Sequence, residues 1–324
     1  MSVHKGNPRV MVTSTLHEDA LKKLREVADV KTDLPRQLAL SKPELLKIIG
    51  EYTGAIIGPS EPFDKDLIAA GKQLKVISRF GVGYDNVDVR AAVERGIYVT
   101  VTPVLSETVA DLTFALILAT SRKIPQAYNY MRDKKWGIER QPYIGMDVTG
   151  KTLGIMGLGR IGSMVAKRAK GFDMAVLYYD VIRNKKAEEE LGLKYVSMDG
   201  LLSEADIITI HTPLTAKTTA LIGEGELKRM KKTAILINTS RGPVIDEKAV
   251  YKALKEGWIA GAGLDVFEKE PTDPNNPILS LDNVVYTPHI ASSTVECRYR
   301  MSMVSADNTI RVLKGEKPLY YVTS

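Results

Sequence analysis

A single cysteine, Cys297, excludes any internal disulfide, so a reducing compartment such as the cytoplasm is the expectation. One thiol also gives little ground for thiol catalysis. Long apolar runs are missing as well. The longest, LTFALILA from Leu112 to Ala119, is far short of the ~20 residues of a membrane span, and Asp111 and Arg122 flank it. It reads as a buried helix, and no membrane partner is expected. The amino terminus, MSVHKGNPRVMV, has no apolar core followed by a small-residue cleavage site, so no secretory leader is expected. Positive charge is in excess at +6, but the lysines lie scattered in segments such as LKKLRE and LKRMKK, alternating with apolar positions. That pattern suits solvated helix faces and argues against a nucleic-acid-binding stripe. No cluster with metal-ligand spacing stands out, and no metal is expected.

What is present is ordinary globular material. Hydrophobic residues make up 44% of the chain and charged residues 26%, enough apolar side chain to build large cores and too much for a disordered chain. At 324 residues the chain exceeds the ~100 to 200 of a common domain, so two domains are expected. Short apolar runs alternate with helical patterns from Arg9 onward: RVMVTS, HEDALKKLREVA, TGAIIG, DKDLIAAG, LKVISRFG. Strand, helix, strand implies a parallel sheet. The rhythm resumes after Lys151 with six apolar runs, TLGIMG, MAVLYYD, ADIITIHTP, TAILINTS, IAGAGLDV and NVVYTPH, enough for a complete doubly wound sheet. Between the two series, Ser106 to Trp136 is helical by periodicity and reads as the divider. The helical run VECRYRMSMVSADNTIRVLKG, ending at Gly315, has no strand to pair with locally and is expected to pack back on the first domain.

The stretch from Lys151 to Asp180 carries the first chemistry. Gly157, Gly159 and Gly162 form GLGRIG between a strand and a helix. The first glycine permits a tight turn, the second lets a pyrophosphate approach the backbone, and the third lets helix and strand pack closely. Asp180 follows Gly162 by 18 residues, near the ~20 at which an acid takes the adenosine ribose hydroxyls and repels a 2′-phosphate. A bare glycine turn can be a mere connector; with strand, helix and acid in place, dinucleotide binding is the better reading. NAD is expected, although Arg183, three residues past Asp180, leaves NADP open.

Three segments, NTSRG, LDVFEKEP and TPHIAS, fall at later strand ends and supply Arg241, Glu270 and His289. Carbonyl reduction by hydride needs a cation for an anionic substrate, a proton donor for the developing alkoxide, and a carboxylate to keep that donor charged. An arginine fork suits a carboxylate, a histidine can give and take the proton, and a neighbouring glutamate fixes its tautomer. Any one alone would be a surface residue; together, beside a dinucleotide turn, they suggest a catalytic trio.

From about Arg9 to Gly315 the chain resembles the D-isomer-specific 2-hydroxyacid dehydrogenases, through RFGVGYDNVD, GKTLGIMGLGRIG, INTSRGPVIDE, AGLDVFEKEP and TPHIASST. The resemblance implies an α/β protein of two Rossmann-like doubly wound domains with a cleft between them. Residues 1–102 with 292–324 would bind substrate, and residues 103–291 the cofactor. It implies Arg241, Glu270 and His289 as catalytic, with the backbone at Val82 and Gly83 gripping the substrate carboxylate. Asp265 would contact the nicotinamide carboxamide, Arg160 and Ile161 the pyrophosphate, and Thr212, Thr239 and Thr108 other parts of the cofactor. A homodimer formed through Ser106 to Trp136 is also implied.

The substrate marks divide. Arg79 and SRKIPQAYNYM resemble the D-3-phosphoglycerate dehydrogenases, where an arginine contacts the phosphate. TPVLSETVADL, KRAKGFDMAVLYY and KEGWIAGAGLDVFE resemble the glyoxylate and hydroxypyruvate reductases. A small 2-oxoacid is the favoured substrate, phosphoglycerate dehydrogenase the alternative, and a dinucleotide-sensing corepressor the alternative of a different class. Val82 stands where phosphite enzymes use lysine.

Overall fold

The computed structural model of the chain describes residues 7–32, 40–138 and 143–323, so the first six residues of the leader reading lie outside the described residues. The chain divides into two compact units, Met1–Leu105 with Ser293–Ser324, and Ser106–Ser292. Both are parallel-sheet α/β units.

The first unit starts with β1 (Arg9–Val12), α1 (Glu18–Arg25), β2 (Asp29–Lys31), α2 (Lys42–Ile48), β3 (Gly54–Ile57), α3 (Lys65–Ala70), β4 (Val76–Arg79), α4 (Val89–Glu94) and β5 (Tyr98–Thr100). Its helices begin where side chains satisfy their open amides. Asp64 accepts from the Leu67 N–H at 3.1 Å, and Asp88 from the Ala91 N–H at 2.9 Å. The central strands β3 and β4 are buried along their whole length, as strands covered on both faces must be.

The second unit runs α5 (Ser106–Ser121), α6 (Ile124–Arg132), β6 (Thr152–Met156), α7 (Arg160–Ala169), β7 (Ala175–Tyr179), α8 (Lys185–Leu191), β8 (Lys194–Tyr195), α9 (Met198–Glu204), β9 (Ile207–Ile210), α10 (Glu224–Arg229), β10 (Ile235–Asn238), α11 (Glu247–Lys255), β11 (Gly261–Leu264) and β12 (Val284–Tyr286). The sheet order is β12-β11-β10-β9-β6-β7-β8, all parallel. The six expected strands are all there, and the two-residue β8 adds an edge. Order reverses between β6 and β9, and at such a switch point open α/β sheets leave a crevice for ligand. The expected helical divider is two helices: Lys123 takes a left-handed φ of 52°, and Pro125 sits in the first turn of α6.

The chain then returns to the first unit with α12 (Val295–Leu313) and β13 (Tyr321–Val322). α12 packs on α1, β3 and β4, as its lack of a local partner implies. Its inner face is unusually polar: Ser302, Ser305, Asn308 and Thr309 are fully buried. Asn308 Oδ1 accepts from the Leu319 and Tyr320 amides at 2.8 and 3.3 Å, tying the following segment down toward β13. β13 pairs antiparallel with β5, giving the order β13-β5-β4-β3-β1-β2. Among the described residues no helix is long and apolar enough to cross a membrane.

Candidate active site

The glycine turn lies at the switch point of the second unit, and the space around it explains its sequence. Gly157 follows β6 with φ 90°, and a Cβ there would come within 2.9 Å of the His211 carbonyl at the end of β9. At Gly162 a Cβ would lie 2.1 Å from the Gly157 oxygen, so only glycine lets α7 start this close to the strand. Gly159, the residue before α7, is different, since among the described residues a Cβ on it would meet nothing beyond its chain neighbours within 4 Å. The first turn of α7 has no acidic residue, so the open amides and positive pole of this ten-residue helix face no carboxylate of their own. Arg160 is exposed and Ile161 half-buried there.

Across the turn, the Thr212 hydroxyl and both ring nitrogens of His211 are buried with no partner among the described residues. Burial pushes the His211 pKa down to about 3, so the ring is neutral. Buried polar atoms without protein partners beside a glycine turn fit a polar ligand, and a dinucleotide supplies the hydroxyls and phosphates they lack.

Asp180 stands just past the end of β7, and its carboxylate belongs to the turn. Oδ2 accepts from the Leu158 N–H at 2.7 Å, and Oδ1 from the Ile182 N–H at 3.2 Å. A carboxylate has about four acceptor positions, so capacity for ribose hydroxyls remains. Arg183 is engaged nearby: its Nε and Nη2 donate to the two oxygens of Glu188, each at 2.8 Å.

The trio is assembled from three loops. Asn238, at the end of β10 and fully buried, accepts from the Ser240 N–H at 3.0 Å and donates to the Arg241 carbonyl at 2.9 Å, closing the NTSRG turn. A Cβ on Gly242 would lie 1.8 Å from the Phe267 oxygen, so this turn sits directly on the loop leading to Glu270. Arg241 Nη1 donates to the Ser240 carbonyl at 2.8 Å. Glu270 Oε1 accepts from the Phe267 N–H at 3.1 Å, and Oε2 lies 2.6 Å from His289 Nδ1. Burial pushes the Glu270 pKa up, but the hydrogen bond and charge of His289, the Phe267 amide and the charge of Arg241 outweigh it. The carboxyl therefore titrates below its ordinary value. His289 and Glu270 keep about a third of their side chains exposed, at 31% and 30%. The pair is therefore open to a substrate.

Asp265 has a part that the sequence did not suggest. It is fully buried, and it accepts from the Thr287 hydroxyl at 2.6 Å and from the Ile290 and Ala291 amides at 2.8 and 2.9 Å. Its backbone carbonyl accepts from the His289 N–H at 2.8 Å. Asp265 thus holds the loop that carries His289. Burial raises its pKa, and these hydrogen bonds oppose the rise. The Thr239 hydroxyl lies 3.1 Å from that of Thr113, which donates to the Val109 carbonyl on α5; Thr108 is buried on the same helix.

Val82 and Gly83 follow β4 in the first unit and are half-buried. Arg79, at the end of β4, is only 3% exposed. Its Nη1 donates to the Phe80 carbonyl at 2.6 Å and its Nε to Asn86 Oδ1 at 3.3 Å. It is a buried side chain bracing its own loop.

The family model described as D-isomer specific 2-hydroxyacid dehydrogenase, NAD binding domain, matches residues 114–291. A glyoxylate reductase of Korarchaeum cryptofilum is 48% identical over 317 residues, covering 96% of this chain and 94% of that one. A D-3-phosphoglycerate dehydrogenase of Archaeoglobus fulgidus is 42% identical over 311 residues, covering 95% of this chain and 58% of that one. Among solved structures, an NADPH-dependent glyoxylate/hydroxypyruvate reductase from Sinorhizobium meliloti, in complex with NADP and malonate, superposes with a TM-score of 0.87. It is 34% identical, with coverage of 98% of this chain and 97% of that one.

Proposed function

The chain belongs to the D-isomer-specific 2-hydroxyacid dehydrogenase family, oxidoreductases acting on a CH–OH group, and from that premise we propose that it reduces glyoxylate or hydroxypyruvate with NADH. The observation that carries this reading is the 2.6 Å contact between His289 Nδ1 and Glu270 Oε2. With Glu270 accepting at Nδ1, the imidazolium presents its Nε2–H outward as the acid.

When bound, the nicotinamide supplies the hydride for the carbonyl carbon. His289 gives its Nε2 proton to the developing alkoxide, and Glu270 stabilises the imidazolium before transfer. Arg241 takes the substrate carboxylate with its planar fork, and the backbone at Val82 and Gly83 is proposed as a further substrate-binding element. The cofactor is proposed to lie with its pyrophosphate at the start of α7, beside Arg160 and Ile161, and its adenosine ribose on Asp180. Thr212, Thr239, Asp265 and Thr108 would be further contacts.

NADH over NADPH is supported by the Asp180 carboxylate and by the engagement of Arg183 with Glu188. A small substrate over a phosphorylated one is supported by Arg79, whose guanidinium is turned back onto Phe80 and Asn86. The assembled trio favours an enzyme over a sensor. We also propose a homodimer formed through Ser106 to Trp136, supported by the exposed apolar side chains Ile124, Tyr128, Met131 and Trp136. A cytoplasmic setting is proposed from the single cysteine. The test is a panel of 2-oxoacids, with 3-phosphohydroxypyruvate included, assayed with NADH and NADPH at the nicotinamide absorbance. Absence of turnover with all of them would overturn the reading.

A further inference from the structure

The turn between β7 and α8 holds a feature that the trio and the glycine turn do not use. Between Asp180 and α8 it carries one cation, Arg183, where a guanidinium could reach a ribose 2′-phosphate. Here that group is fixed elsewhere. Nε and Nη2 make parallel 2.8 Å bonds to the two Glu188 oxygens, the fork-on-fork geometry of the strongest arginine pairs. The guanidinium carbon lies 5.5 Å from the centre of the Tyr195 ring.

Glu188 is itself anchored from the strand beneath. Its Oε1 also accepts from the Tyr178 hydroxyl at 2.6 Å, and the Tyr178 ring is wholly buried, packed edge-on against Tyr195 at 5.3 Å. The same hydroxyl accepts from the Asn184 N–H at 2.9 Å, and Asn184 Oδ1 caps α8 by accepting from the Ala187 N–H at 3.1 Å. The Glu188 side chain is only 15% exposed while that of Arg183 is 53% exposed, so the carboxylate is the fixed half of the pair and the guanidinium the half that could swing. Three donors hold Glu188 in place. They also keep its carboxyl ionised, at a pKa of about 2, chiefly through the Arg183 bond and then the Tyr178 bond.

We propose that Glu188 is a cofactor-selecting residue: by clamping Arg183 against Tyr195 it withholds the guanidinium from a ribose 2′-phosphate, so discrimination against NADPH rests on Glu188 as well as Asp180. Asp180 alone repels the phosphate, but a released Arg183 in the same turn would offset that repulsion and add a charge-assisted contact. Lys185 and Lys186 open α8 close by, and Lys186 lies 3.7 Å from Glu190. An effect of the clamp must therefore be traced to Arg183 itself. The inference rests on the NADH reading above.

The experiment measures kcat/KM for NADH and NADPH, with glyoxylate, in the full-length protein and three variants: Glu188→Gln, Arg183→Ala and the two combined. Affinity for 2′,5′-ADP is measured alongside by calorimetry, a readout independent of turnover. The wild-type ratio of the two cofactors tests the cofactor reading; its change on Glu188→Gln tests the clamp. The expected result is a gain of about tenfold for NADPH in Glu188→Gln with NADH within about twofold, and tighter 2′,5′-ADP binding. Arg183→Ala should erase both gains in the combined variant, and by itself should leave NADPH use within about twofold. Should Glu188→Gln fail to fold, Glu188→Ala takes its place. A cofactor ratio that either Glu188 variant leaves unchanged overturns the proposal. So does a gain that survives Arg183→Ala, or a loss of NADPH use in Arg183→Ala alone, which would show the arginine already swinging to the phosphate. A wild type that favours NADPH overturns the cofactor reading instead.

Discussion

His289 and Asp265 are joined through the backbone: the His289 N–H donates to the Asp265 carbonyl at 2.8 Å, at a residue whose φ of 52° is left-handed. Non-glycine residues adopt that region sparingly, and here the surrounding loop holds one in it. The consequence is a ring delivered to Glu270 at 2.6 Å. Replacing His289 with asparagine removes the proton donor and leaves the loop bonds. We expect kcat to fall by about 10²- to 10⁴-fold, with the NADH dissociation constant from fluorescence titration nearly unchanged. A variant with near-normal turnover would refute the assignment.

Asp265→Asn acts one step away. The amide nitrogen that replaces one carboxylate oxygen must point a donor at groups that already donate, either the Ala291 amide at Oδ2 or the Ile290 amide and Thr287 hydroxyl at Oδ1. The expected loss is about 1 to 3 kcal/mol in denaturant unfolding, the scale of a buried group left unsatisfied, together with a lower kcat. Unchanged stability would mean that the loop is held by other contacts.

Gly159 and Gly162 separate ligand approach from packing. Among the described residues a methyl at Gly159 meets no atom beyond its chain neighbours within 4 Å, and at Gly162 it meets the Gly157 oxygen at 2.1 Å. Gly159→Ala should leave the thermal midpoint almost unmoved while raising the KM for NADH about tenfold or more. Gly162→Ala should lower the midpoint itself. If Gly159→Ala binds NADH normally, the pyrophosphate does not lie on this turn.

The Glu188 clamp has a pH signature. Its carboxyl titrates at about 2, below the 4.5 of a free glutamate, with the Arg183 bond as the largest cause. A depressed folded-state pKa stabilises fully above the unfolded value and is lost as pH falls through the folded one. The thermal-midpoint difference between wild type and Glu188→Gln should therefore be largest at neutral pH and shrink from about pH 4.5 toward 2. A difference constant across that window would contradict the ion pair.

Arg79 should matter for folding more than for substrate choice. Arg79→Ala strips donors from the Phe80 carbonyl and Asn86 inside the first unit. Unfolding should become easier by about 1 to 3 kcal/mol, while glyoxylate or hydroxypyruvate keeps a higher kcat/KM than 3-phosphohydroxypyruvate. If the phosphorylated substrate leads by tenfold in the wild type, and Arg79→Ala abolishes that lead, phosphoglycerate dehydrogenase becomes the correct reading.

Several features were legible because they are local. A strand, a turn with glycines at fixed offsets and an amphipathic helix are specified within about 30 consecutive residues, so GLGRIG and its acid could be read directly. The six strands of the second unit other than β8 likewise stand out as separate apolar runs. Arg241, Glu270 and His289 could be named because their segments follow such runs.

What the chain could not display was how distant segments meet. The edge strands β8 and β13 have two residues each, too few for a period, and exist only because β7 and β5 offer open edges. The Ser106 to Trp136 segment keeps its apolar spacing through the break at Lys123, so periodicity does not mark where α5 ends. Side-chain allegiance was hidden most deeply. Arg79 turns back into its own loop, Arg183 is bound to Glu188, and Asp265 is committed to Thr287, Ile290 and Ala291. Sequence determined which charged groups this protein has near its strand ends; tertiary structure alone decided which of them are already taken, because a hydrogen bond forms only where folding brings donor and acceptor within about 3 Å.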